Sequence, residues 1–156
     1  MIARRTCHLG LRNAAMLLML VAPAMPAHAA LGEKLSSVER DRSALGGTLR
    51  SKDAPGHVVH EIQTPDGGLL RELVSPSGTV FGVAWEGPRV PDLRRLLGAS
   101  FAAYTDAART PRRRRGPLVL ETPGLVFESY GHVRAFRGRA FIPGLLPAGV
   151  SIDAIQ

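Results

Sequence analysis

The chain has 156 residues, a formal net charge of +7, a pI near 10.9 and a single cysteine, Cys7. The length suits about one domain with one core. The cysteine count excludes a disulfide framework, and the distribution of charge excludes a globally basic surface built to coat nucleic acid. Three of the 20 Lys and Arg are Arg4, Arg5 and Arg12, and five lie between Arg109 and Arg115; the other 12 face 13 acidic residues.

In chain order, the first element is a leader. Arg4, Arg5 and Arg12 precede the apolar run "AAMLLMLVAPA" at 14–24, which is too short to span a bilayer. "AHA" at 27–29 then satisfies the small-x-small cleavage rule. This pattern predicts a signal peptide over 1–29, cut after Ala29, and one domain over 30–156. "TCHLG" after Arg4-Arg5 matches twin-arginine export poorly, so the general secretory route is expected. Cys7 lies inside the leader and far ahead of the cut, which leaves the mature chain without a thiol nucleophile or a lipid-attachment cysteine.

Ser36 with Glu39 has capping-box spacing, and Gly46-Gly47 is a stop, so a short helix is predicted over 37–45. "HVVHEIQT", "LLRELV" and "TVFGVAW" are predicted strands, joined at "PDGG" and "SPSG". Connections this short make an antiparallel meander. Strict alternation in the third strand puts Phe81, Val83 and Trp85 on one face and Val80, Gly82 and Ala84 on the other. The large set suits a core, and the small set lets a neighbouring element approach closely.

The period then changes. Pro91 and Asp92 open a helix, and Leu93, Leu96, Leu97, Phe101 and Tyr104 form one apolar stripe along about four turns. "TPRRRRGP" is a solvated loop. "LVLE" and "LVFESY" are strands joined at 122–124. "HVRAFRGRAFI" supplies one or two more, with Gly138 as a bulge or bend. The tail after Pro143 turns twice and docks back. The order is α-β-β-β-α-β-β-β: an α+β fold, an antiparallel sheet with a main amphipathic helix on one face.

The residues that could carry chemistry point away from catalysis. His57 and His60 are three apart on a strand and face opposite ways, so they cannot share a metal, and no metal or cofactor is expected. A site joining His60 or His132 to a carboxylate would make the chain an enzyme, and this is the alternative reading. "SPSG" lacks the nucleophile-elbow pattern, so Ser75 and Ser77 are expected to bond the turn backbone. Glu61, Glu72, Glu86 and Glu128 have the pattern of solvent-side or strand-end residues. Arg112, Arg113, Arg114 and Arg115 have no neighbouring aromatic platform for nucleic acid. An anionic membrane surface fits them better, at about 1 kcal/mol per cation. Tyr130, His132 and Arg134 would share one polar, aromatic strand face and are the candidate binding residues.

"HEIQTP", "SPSGTVFGVAWEGP" and "LLPAGVS" resemble the exported bacterial family called domain of unknown function 2844, over nearly the whole chain after the leader. The resemblance implies a periplasmic or secreted protein of a Gram-negative bacterium and carries over no catalytic residue. The expectation is a small non-catalytic binding module of the cell envelope. Its partner would be an envelope component or a protein and not nucleic acid, and its working surface the sheet face that the main helix leaves open.

Overall fold

The computed structural model describes residues 31–109 and 116–156. The leader, its cleavage point and Arg112 to Arg115 lie outside the described residues. Helix α1 spans Ser36–Leu45, followed by strands β1 (Thr48–Ala54), β2 (His57–Gln63), β3 (Leu69–Val74) and β4 (Val80–Gly87). Two short helices, α2 (Leu93–Leu97) and α3 (Phe101–Ala108), lead to β5 (Leu118–Thr122), β6 (Leu125–His132) and β7 (Ala135–Phe141). The strands form one seven-stranded sheet in the order β1-β2-β3-β4-β7-β6-β5, every neighbouring pair antiparallel. The chain's two meanders meet where β4 pairs β7. Among the described residues no helix is long and apolar enough to cross a membrane.

Several local expectations hold. Gly46 ends α1 in the left-handed region at φ 61, and the amides of Gly46 and Gly47 return to the carbonyls of Ser43 and Arg42. Ser75 Oγ donates to Thr79 O at 3.1 Å and accepts from the Thr79 amide at 3.3 Å, which closes the β3–β4 turn. Asp92 caps α2 by accepting from the amides of Arg94 and Arg95.

Other expectations are corrected. β1, "TLRSKDA", is an additional strand: a polar edge strand lacks the apolar alternation that marks half-buried ones. Ser36 forms no side-chain cap, because it is the first helical residue and Leu35 holds the cap position, and Glu39 bonds Arg42 at 2.7 Å instead of reaching back. The four-turn helix is two helices around a 3₁₀ turn at Gly98–Ser100, where Gly98 sits at φ 51. Its stripe still faces the sheet: Leu96 and Leu97 are buried, and Tyr104 packs on Phe127 with ring centroids 4.8 Å apart.

The β4 faces also differ from strict alternation. Leu73 pairs with Gly82 but Val74 pairs with Val80, so Phe81 is an extra residue in a bulge. Val80 therefore joins Val83 and Trp85 in the core beneath the helices, and Phe81 moves to the second face with Ala84. Gly138 is a regular ladder residue opposite Trp85 and not a bend. A Cβ there would run into the Trp85 ring, so its missing side chain is what lets the indole lie flat on β7.

Candidate functional site

The face away from the helices carries three rows of cross-strand neighbours. The first is apolar: Val59, Leu73, Gly82, Phe141 and Val126 stand opposite one another in register from β2 to β6. The tail covers it, with Ile155 fully buried among Leu73, Phe81, Ala84 and Phe141. The expected docking of the tail is therefore seen, and it half-closes the face that the sequence left open.

The second row is charged: Arg50, Glu61, Arg71, Ala84, Arg139 and Glu128 follow one another in register. Arg71 Nε donates to Glu61 Oε1 at 3.0 Å, and Arg139 makes a two-pronged pair with Glu128 at 2.9 and 3.1 Å. These half-buried pairs aim the guanidinium groups more than they stabilise the fold. Each arginine has a donor left over for the tail. Arg139 Nη1 donates to the main-chain oxygen of Ile152 at 3.1 Å, and Arg71 Nη1 to that of Gln156 at 3.0 Å. Ala84 between them is small enough for the tail to cross.

The third row is open: Gln63, Leu69, Glu86, Arg137 and Tyr130. Tyr130 is 49% exposed, and the Arg137 guanidinium lies over its ring at 5.9 Å. Glu61, Arg71, Arg139 and Glu128 of the charged row and Glu86, Arg137 and Tyr130 of the open row, with Lys52 and His57 toward the β1 edge, line a groove of about 750 Å³ walled on one side by Ala154, Ile155 and Gln156. That volume lies within the usual range for small-ligand sites. The groove presents cations, carboxylates and one aromatic ring, so it can hold a polar ligand by charge-assisted hydrogen bonds and stacking.

Of Tyr130, His132 and Arg134, which the sequence placed on one strand face, the first two do share a face of β6, and Arg134 does not. β6 ends at His132, and Val133 and Arg134 form the hairpin turn, Arg134 in the left-handed region at φ 69. Gly131 allows this tight return, because a Cβ there would strike the main chain of Ala135 and Phe136. Tyr130 alone of the three lines the groove, and its neighbour there is Arg137. Arg71, Arg139, Glu61, Glu86 and Glu128 went unread as a site, since only strand order brings their alternating charges into rows.

The histidines stay apart. His57 is buried on the tail side, its ring edge-on to Phe81 at 5.8 Å, whereas His60 faces the helix side with Nδ1 2.8 Å from Ser51 Oγ. Burial lowers the His60 pKa. His132 is exposed at the hairpin end. β2 and β6 are not neighbours, so His60 and His132 do not meet. Among the described residues no group of three His, Cys, Asp or Glu forms a metal-sized cluster. Glu72 departs most from expectation. It is fully buried on the helix side, since it alternates with Leu70 and Val74 and not with the groove residues.

The fold and groove define a small α+β protein with an open antiparallel sheet, helices on one face and a tail-strapped polar groove on the other. The chain belongs to the family described as "Protein of unknown function (DUF2844)", whose pattern it matches over residues 27–155. No curated protein and no solved structure matches it.

Proposed function

We propose that the protein is an exported, non-catalytic binding module of the cell envelope, and that the groove beside the tail is its ligand seat. The observation that carries this reading is the open row. The Arg137 guanidinium lies over the Tyr130 ring at an exposed margin of the sheet, beside arginines that already grip main-chain oxygens of the tail. Those contacts demonstrate the chemistry available: guanidinium donors for carbonyl, hydroxyl or carboxylate oxygens, and an aromatic face for a sugar ring or a side chain. An envelope glycan fragment or an extended peptide fits both features.

The test is a titration of the isotope-labelled protein with soluble peptidoglycan fragments and with acidic oligosaccharides, followed by NMR. Saturable shifts at Tyr130 and Arg137 that vanish in Tyr130→Ala and Arg137→Ala support the seat. Shifts confined to the helix side would place binding elsewhere.

A further inference from the structure

Beneath α1 the sheet holds an arrangement that the groove does not use. Glu72 of β3 is fully buried, and Asp41 of α1, buried to 2% exposure, faces it. One guanidinium bonds Asp41 and none bonds Glu72. Arg95 of α2 donates from Nε to Asp41 Oδ1 at 2.8 Å and from Nη2 to the main-chain oxygen of Arg40 at 3.2 Å. Asp41 Oδ2 and both Glu72 oxygens find no donor among the described residues. The groups packed around Glu72 do not supply one. On β2 the cross-strand residue is His60, whose Nδ1 is engaged by Ser51 of β1, and on β4 it is the apolar Val83. Ser37 Oγ and Arg40 Nε of α1 are buried too, and neither is bonded to Glu72.

Two buried carboxylates side by side, with one guanidinium bonded to Asp41 alone, would set like charges together and leave three acceptors unmet, which is costly. A proton on Glu72 removes both faults. It neutralises the surplus charge and supplies the donor that a pair of carboxylates lacks.

We propose that a single proton shared by Asp41 and Glu72 is the latch that holds α1 on the sheet, and that α1 lifts off as the medium turns alkaline. Burial pushes the Glu72 carboxyl up to about 9; the Asp41 charge and the hydrogen bond to Asp41 add to this, and Arg95 opposes it. Folded, the group binds its proton more tightly than in the unfolded chain. Its contribution is therefore complete below the ordinary carboxyl value near 4.5 and is lost as pH rises toward 9. α1 is the element to yield, since Val38 is its one fully buried apolar anchor.

The experiment is amide hydrogen exchange, corrected for the intrinsic rate, on the wild-type protein and on Glu72→Gln between about pH 5 and pH 9. In the wild type the opening constant of α1 should rise with pH, by about tenfold per unit at its steepest for one proton. In Glu72→Gln, which mimics the protonated acid, it should stay flat. A variant that follows the wild-type slope, a flat wild type, or protection lost first from β3 and β4 overturns the proposal. Should the Gln variant not fold, the ¹³C shift of the wild-type Glu72 carboxyl decides. A protonated signal at neutral pH supports the latch, and an ionised one overturns it.

Discussion

Ile155 stands on Gly82: a Cβ built on Gly82 would lie 3.1 Å from Ile155 Cδ1 and 3.5 Å from its Cγ2. The smallest residue of the most buried strand is thus the seat of the tail's one fully buried side chain. Ile155→Ala should cost about 2–3 kcal/mol in a urea titration, the lower part of the range for deleting a buried aliphatic side chain, because a tail can partly collapse into the gap. Gly82→Ala should be mild, since the methyl meets only the Ile155 side chain and is tight only against its Cδ1 end. Gly82→Leu should displace the tail and expose the oxygens of Ile152 and Gln156, visible as lost amide protection at 152–156.

Gly138 makes the matching prediction on the other face. Gly138→Ala pushes a methyl into the Trp85 ring and toward the main-chain oxygen of Glu128. A ring can turn, but the paired strand cannot retreat without breaking its ladder. The expected loss is about 1–3 kcal/mol. Trp85 is the only tryptophan, so its emission should shift to the red as packing loosens.

Arg95→Met should be among the most damaging single changes, about 3–5 kcal/mol by chemical denaturation, because it strands the buried Asp41 carboxylate. Adding Asp41→Asn should recover a large part of that loss, since the group that lost its cation is then neutral. Equal stability of the single and double variants would mean that packing, and not charge, sets the cost.

His60 predicts a weak acid limb. Its folded pKa lies below the ordinary 6.5 because burial disfavours the charged ring. Stability from this residue is therefore present above 6.5 and falls as pH drops through the lowered value. The ring is only partly buried, so the effect should be small and should disappear in His60→Gln. The Glu72 effect runs the opposite way and is the larger, so wild-type stability should fall as pH rises from about 5 toward 9.

The proposed export makes a separate, simple prediction. Expressed with its leader in a Gram-negative host, the protein should be recovered from the periplasm or medium with Ala30 at its N-terminus, as read by N-terminal sequencing. A leader still attached in the cytoplasm would refute the export reading.

The sequence by itself determined the local grammar of this protein. The turns at "PDGG" and "SPSG", the stop at Gly46, the burial of Trp85 and the antiparallel meander follow from backbone preferences and side-chain period, which act over a few residues. The same reasoning placed Tyr130 and His132 together on one strand but carried Arg134 along with them, because a hairpin turn within an apparently continuous alternation has no signal beyond Gly131. Strand order was the work of the tertiary structure. Only the pairing of β4 with β7 brings Arg71, Ala84 and Arg139 into one row and so creates the groove. Only the bulge at Phe81 decides which aromatic faces the tail. Glu72 is the clearest case. Its position in "LLRELV" shows which face it shares with Leu70 and Val74, but a buried carboxyl is tolerated only where Asp41 and Arg95, far away in the chain, close over it. Contacts made across such distances are set by how the layers pack, and a strand's own alternation holds no record of them.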